Sequence, residues 1–161
     1  MDIGMRGAFG SVVSFTMPPR TILVADDDRL LRESLCDALS DLGFMPTDVG
    51  CGRQAIAVLN ERRCDLLLSD VDMPDMTGFQ LLSWVAEHPS SPLMPTVLMS
   101  ARADGELDRA ALAAGARALL PKPVGISVIQ SLVQTIFHRP GSGSSPPARG
   151  APGAPSRDRL S

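Results

Sequence analysis

Short apolar runs alternate along this chain with longer stretches in which apolar residues recur every three or four positions. Thr21 to Ala25, Phe44 to Val49, Asp65 to Ser69, Thr96 to Ser100 and Ala118 to Leu120 have the length and bounding residues of strands. Between them, helical spacing places Leu31, Leu35, Ala38, Leu39 and Leu42 on one face, then Ala55, Ile56 and Leu59, then Phe79, Leu82 and Val85. An alanine-rich helix over 104–114 and a last helix over 126–137 complete five strand-helix pairs. Asp28 is placed to cap the first helix, and Gly43 and Gly115 to end the first and fourth.

Strict strand-helix alternation requires crossover connections, and those give a mostly parallel sheet with helices on both faces. The predicted class is therefore doubly wound α/β. Pro46 in the second strand cannot donate to a ladder, which puts that strand on a sheet edge. Residues 1–20 read as an unstructured leader, 21–138 as the folded domain, and 139–161 as a disordered tail rich in Pro, Gly and Ser. Nothing after Phe137 has the periodicity of an output domain, so the expected form is a stand-alone domain.

Composition narrows the partners. The chain has 161 residues, 44% of them hydrophobic, and a net charge of -3, which suits one domain with a proper core and argues against a nucleic-acid surface. No apolar run approaches the roughly 20 residues of a membrane helix. Cys36, Cys51 and Cys64 lack metal or disulfide spacing and read as free thiols in a reducing cytoplasm.

The candidate chemistry lies at strand ends. Asp26 and Asp27 follow the first strand, Asp70 the third, Ser100 the fourth and Lys122 the fifth. In a doubly wound sheet these ends share one edge, so the five side chains are expected in one cleft. Carboxylates that close together repel one another, and a divalent cation keeps them ionised. An all-oxygen ligand set suits Mg²⁺, which leaves coordination positions for water and phosphate. Asp70 is then a candidate nucleophile toward phosphorus, with the Ser100 hydroxyl and Lys122 ammonium available to phosphoryl oxygens. Asp28 reads only as a helix cap, and His88 and His138 as structural.

With those motifs in place, Ile22 to Asp28 (ILVADDD), Asp65 to Gly78 (DLLLSDVDMPDMTG), Met99-Ser100-Ala101 and Gly115 to Pro123 (GARALLPKP) together resemble the receiver domain of two-component response regulators. The resemblance covers residues 20–138. It implies a flavodoxin-like (βα)5 fold with strand order 2-1-3-4-5. It also implies phosphorylation of Asp70 by a sensor histidine kinase or histidine phosphotransfer protein, and Mg²⁺ held by Asp26, Asp27, Asp70 and the Asp72 main-chain carbonyl. Ser100 and Lys122 take the phosphate-sensing positions, the Lys122-Pro123 bond is expected cis, and phosphorylation modulates contacts with a downstream protein. Leu119 occupies a switch position that is usually aromatic in receivers.

Two other classes compete. The Asp-x-Asp of Asp70 and Asp72 also resembles haloacid-dehalogenase-type phosphatases, but those place their metal-binding acidic pair after the lysine strand. A receiver-like interaction module without phosphorylation is the third reading. One further expectation concerns Asp72 and Arg102, each two residues beyond a key position, which are placed to pair across the cleft and restrict hydrolytic water.

Overall fold

The apolar runs form a single parallel sheet in the computed structural model, which describes residues 5–6, 12–13, 17–89 and 93–137. In chain order the elements are β1 (Thr21–Ala25), α1 (Arg29–Asp41), β2 (Met45–Val49), α2 (Gly52–Glu61), β3 (Leu66–Asp70), α3 (Gly78–Glu87), β4 (Thr96–Ser100), α4 (Gly105–Ala113), β5 (Ala118–Pro121) and α5 (Ile126–Phe137). The sheet order is β2-β1-β3-β4-β5, all neighbours parallel. This is the flavodoxin-like arrangement, and Pro46 sits on the edge strand as its missing N–H requires. In the leader, Met5–Arg6 and Val12–Val13 pair antiparallel, a departure from the unstructured reading, while residues 17–20 carry no helix or strand; the rest of the leader, His138 and residues 139–161 lie outside the described residues.

Alternate residues of each strand feed opposite layers. Ile22, Val24, Leu66, Leu68, Val97 and Met99 pack beneath α1 and α5 against Leu35, Leu39, Ile129 and Val133. Leu23, Ala25 and Leu67 face α2 and α3 through Ala55, Leu59, Leu81 and Val85. Leu98 and Leu119 meet Leu82 and Ala111 in a third cluster under α4. Every residue of β3 and β4 is buried, and each fully buried leucine contributes about 1.5–3 kcal/mol relative to exposure.

The helix ends follow local chemistry. Asp28 Oδ1 accepts the Leu31 N–H at 3.2 Å, Asp104 Oδ1 accepts that of Leu107 at 2.8 Å, and Thr77 forms a reciprocal capping box with Gln80. Gly43 at φ +89° and Gly115 at φ +100° turn the chain out of α1 and α4.

Two expectations shift. The inward stripe of α3 is Leu81, Leu82 and Val85, with Phe79 only half-buried. The helix straddles two clusters, sending Leu81 and Val85 under β1 and β3 while Phe79 and Leu82 reach the α4 side. The third strand also runs one residue later than its apolar run, so Asp70 is its final residue rather than the first of the loop. Asp65 instead receives the Thr21 N–H on its Oδ2 at 2.7 Å, tying the N-terminal ends of β1 and β3.

Candidate functional site

The parallel register brings the strand ends to one edge. Asp70 is level with Met99 of β4, and Ser100 is level with Pro121 of β5, one residue before Lys122. The Lys122 N–H donates to the Ser100 carbonyl at 2.9 Å, which continues the ladder into the β5-α5 loop. The Lys122-Pro123 peptide is cis.

Each buried carboxylate divides its two oxygens between loop and lysine. Asp26 is fully buried; its Oδ1 accepts the Asp28 N–H at 2.8 Å, while Oδ2 lies 2.7 Å from Lys122 Nζ. Asp70 Oδ1 accepts the Asp72 N–H at 3.2 Å, and its Oδ2 lies 3.1 Å from the same ammonium. Asp27 is exposed, and its carboxylate joins those of Asp26 and Asp70 with ligand atoms all within 4.8 Å of one another.

Charge explains the titration. Burial pushes the Asp70 carboxyl above its usual value, against the pull of Lys122 and of the Asp72 N–H. Burial alone would lower the Lys122 ammonium, but contact with Asp26 and Asp70 outweighs it and raises the pKa. Counted formally, three carboxylates against one ammonium leave a charge of -2, which one divalent cation would balance.

The donor set fits such a cation. Asp26 Oδ2 is buried, and the Lys122 ammonium at 2.7 Å is its compensating neighbour. A carboxylate oxygen with unused lone pairs, in an oxygen-only cluster open to solvent through Asp27, is suited to a hard ion.

Ser100 is buried, and its Oγ accepts the Arg102 N–H at 3.1 Å, leaving the hydroxyl proton for another acceptor. The expected pairing of Asp72 with Arg102 does not occur: no ion pair joins them. Arg102 lines a recess with Asp104, Glu106, Leu107 and Ala110 at the start of α4. Leu119 is buried among Val71, Leu82, Leu98, Ala111 and Ala116, beside the site rather than in it.

Several supporting residues carry no signal in the cleft motifs. Arg32 of α1 donates through Nη1 to the Asp26 carbonyl at 2.7 Å and through Nε to Asp48 Oδ2 at 3.0 Å, which fixes the β1-α1 loop against the end of β2. Its position in the α1 pattern, next to Leu31, gives only a polar residue on a helix. Asp75 bonds to the start of α2. Gly78 lies so close to the Asp70 carbonyl that a Cβ there would overlap it, so this glycine is needed for α3 to begin beside β3.

The remaining candidates are structural. His88 ends α3 away from the cleft, stacked on Trp84 with ring centroids 4.4 Å apart and Nε2 3.1 Å from Asn60 Oδ1. All three cysteines are free thiols, and burial pushes Cys36 up to about 11.

Residues 22–134 match the family model described as the response regulator receiver domain. The chain belongs to the response regulator receiver family. Its relatives include a probable chemotaxis protein CheY of Rhizobium etli, 32% identical over 72% of this chain and 91% of that protein. Another is the sensor histidine kinase RcsC of Escherichia coli, 34% identical over 73% of this chain but only 12% of the kinase. Among solved structures, the chemotaxis response regulator CheY4 of Vibrio cholerae is 27% identical, with a TM-score of 0.70 over 74% of this chain and 100% of that one. Receiver domains act in two-component signal transduction with histidine kinases or phosphotransfer proteins, and bind Mg²⁺ at an acidic pocket. The acidic pair Asp26-Asp27 follows β1, before Asp70, which is the order that separates this chain from the phosphatase alternative. Among the described residues, no helix is long and apolar enough to cross a membrane.

Proposed function

We propose that Asp70 is the phospho-acceptor of this receiver. The observation that carries this reading is the Lys122 ammonium held between Asp26 Oδ2 at 2.7 Å and Asp70 Oδ2 at 3.1 Å, with Asp27 completing the acidic cluster. Asp26, Asp27 and Asp70, with the Asp72 main-chain carbonyl, would hold Mg²⁺. When bound, the cation neutralises the acidic cluster and the charge on the phosphoryl oxygens.

The donor is a phosphohistidine on a sensor histidine kinase or a histidine phosphotransfer protein. An Asp70 carboxylate oxygen forms the new O–P bond as the N–P bond breaks, and the imidazole nitrogen keeps that electron pair. Lys122 supplies a compact positive charge to one phosphoryl oxygen, and the free Ser100 proton a hydrogen bond to another. Water attack on phosphorus later releases inorganic phosphate and restores the carboxylate. The phosphorylated and free forms differ in their contacts with a downstream protein, and the cytoplasm is the compartment assigned to that exchange.

The test is incubation with Mg²⁺ and a small acyl phosphate or phosphoramidate, followed by intact mass. Wild type gains one phosphoryl group, and Asp70→Asn gains none. No gain in wild type would favour the non-phosphorylated interaction module, and steady phosphate release from unrelated monoesters would favour a phosphatase.

A further inference from the structure

Helix α2 has no cap of its own. Cys51 stands at its N-cap position and makes no side-chain bond to the first turn, so the opening N–H groups need another acceptor. Asp75 of the β3-α3 loop supplies it: Oδ1 accepts the Gly52 N–H at 3.0 Å and Oδ2 accepts the Arg53 N–H at 2.7 Å. Oδ1 also accepts the Met76 N–H at 2.9 Å, which stiffens the loop locally.

The apolar side of the same junction is equally close. Met76 lies over Gly52 so tightly that a Cβ at position 52 would run into its Cγ and Sδ. At the far end of the loop the Gly78 N–H donates to the Val71 carbonyl at 2.8 Å. Residues 71–77 are thus pinned at α3 and at α2, and between the pins Asp72 donates its N–H to Asp70 Oδ1. Among the described residues, Asp75 has the only side chain of that loop that hydrogen-bonds to the backbone of α2, Thr77 serving the start of α3.

We propose that Asp75 is a positioning residue of the phosphoryl site: by tying the β3-α3 loop to the start of α2, it sets the Asp72 main chain where its carbonyl meets the cation. This rests on the function proposed above. A plain helix cap would stabilise α2 without affecting the cation, so the two roles are separable. Restoring a cap from within α2 returns helix stability but leaves the loop untied. Cys51→Ser does this, because it turns residues 51–54 into Ser-Gly-Arg-Gln, a capping-box sequence.

The experiment compares wild type, Asp75→Ala and Cys51→Ser/Asp75→Ala. Three quantities are read: melting temperature, amide hydrogen exchange of residues 72–76 in metal-free protein, and the Mg²⁺ dissociation constant by titration. Asp75→Ala should melt lower, exchange faster at 72–76, and bind Mg²⁺ on the order of 10-fold more weakly. The double variant should regain the melting temperature and keep the fast exchange and weak binding. Asp75→Asn, which retains one oxygen acceptor, replaces Asp75→Ala if the latter does not fold, with smaller shifts of the same sign.

Wild-type Mg²⁺ affinity in Asp75→Ala overturns the proposal, as does recovery of affinity together with stability in the double variant. Either result leaves the phosphoryl reading standing if wild type still gains a phosphoryl group. A wild type that binds no Mg²⁺ and gains no such group overturns both.

Discussion

Lys122 Nζ lies nearer to Asp26 Oδ2, at 2.7 Å, than to Asp70 Oδ2, at 3.1 Å. The fully buried Asp26 has no other partner for that oxygen, whereas Asp70 stands at the solvent edge of β3. The ammonium is therefore held chiefly by Asp26, and, on the function proposed above, the longer contact to Asp70 is the one exchanged when Asp70 takes up a phosphoryl group.

Removing the ammonium should expose the repulsion it offsets. Breaking a buried ion pair by deleting one partner costs about 3–5 kcal/mol, and Lys122→Met should lose that order of stability in metal-free protein. Added Mg²⁺ should recover part of it. The raised Lys122 pKa places the wild-type contribution fully below its unfolded value, with loss as pH climbs through the higher folded value. Urea unfolding with and without Mg²⁺ measures the difference.

Asp70→Asn should go the other way. The Asp70 pKa is raised, so the folded state favours its proton; stability from this group is present below the unfolded value and lost as pH rises through the folded one. At neutral pH, metal-free Asp70→Asn should be more stable than wild type, and the gap should close on acidification. Mg²⁺ should reverse the order: at a hundred times its dissociation constant it stabilises wild type by about 2.7 kcal/mol. Paired urea curves at two pH values, each with and without Mg²⁺, check both signs.

Arg32 makes two contacts of unequal weight. Its partner Asp48 is 46% exposed, so that pair is screened and worth under about 1 kcal/mol. The bond to the Asp26 carbonyl is part-buried and charge-assisted, worth about 1.5–3 kcal/mol. Arg32→Met should therefore cost more than Asp48→Asn by urea unfolding, and only Arg32→Met should also weaken Mg²⁺ binding. Equal losses would show that the surface pair dominates.

What the sequence made legible was local. The apolar runs of β3 and β4, the Asp28 cap and the Gly43 and Gly115 turns depend on neighbours a few residues away, and the shared strand edge follows from alternation alone. Asp26, Asp27, Asp70 and Lys122 were therefore readable as one cluster, with Ser100 at the neighbouring strand end. Asp75 was not, because its partners Gly52 and Arg53 lie 22 or more residues earlier and nothing in Asp-Met-Pro-Asp marks a cross-loop cap. The Asp72-Arg102 pairing failed for the complementary reason. Position two residues beyond a strand end fixes where a backbone lies, not where a long side chain goes, and Arg102 lines the recess at the start of α4.

Leu119 separates packing from chemistry. It is 8% exposed and fills the space between β5 and α4 against Leu98 and Ala111, while its neighbour Leu120 faces the α1 and α5 layer. Leu119→Ala should leave a cavity costing about 2–5 kcal/mol by urea unfolding. Its side chain packs in the apolar cluster under α4, so the folded variant should take up a phosphoryl group at the wild-type rate in an intact-mass time course. The response to phosphorylation should change instead: amide shifts of α4 and β5 between free and phosphorylated protein should shrink, because the side chain packed between those elements is gone. A folded Leu119→Ala with slowed uptake and unchanged α4 shifts would place Leu119 in the reacting site and remove it from the switch.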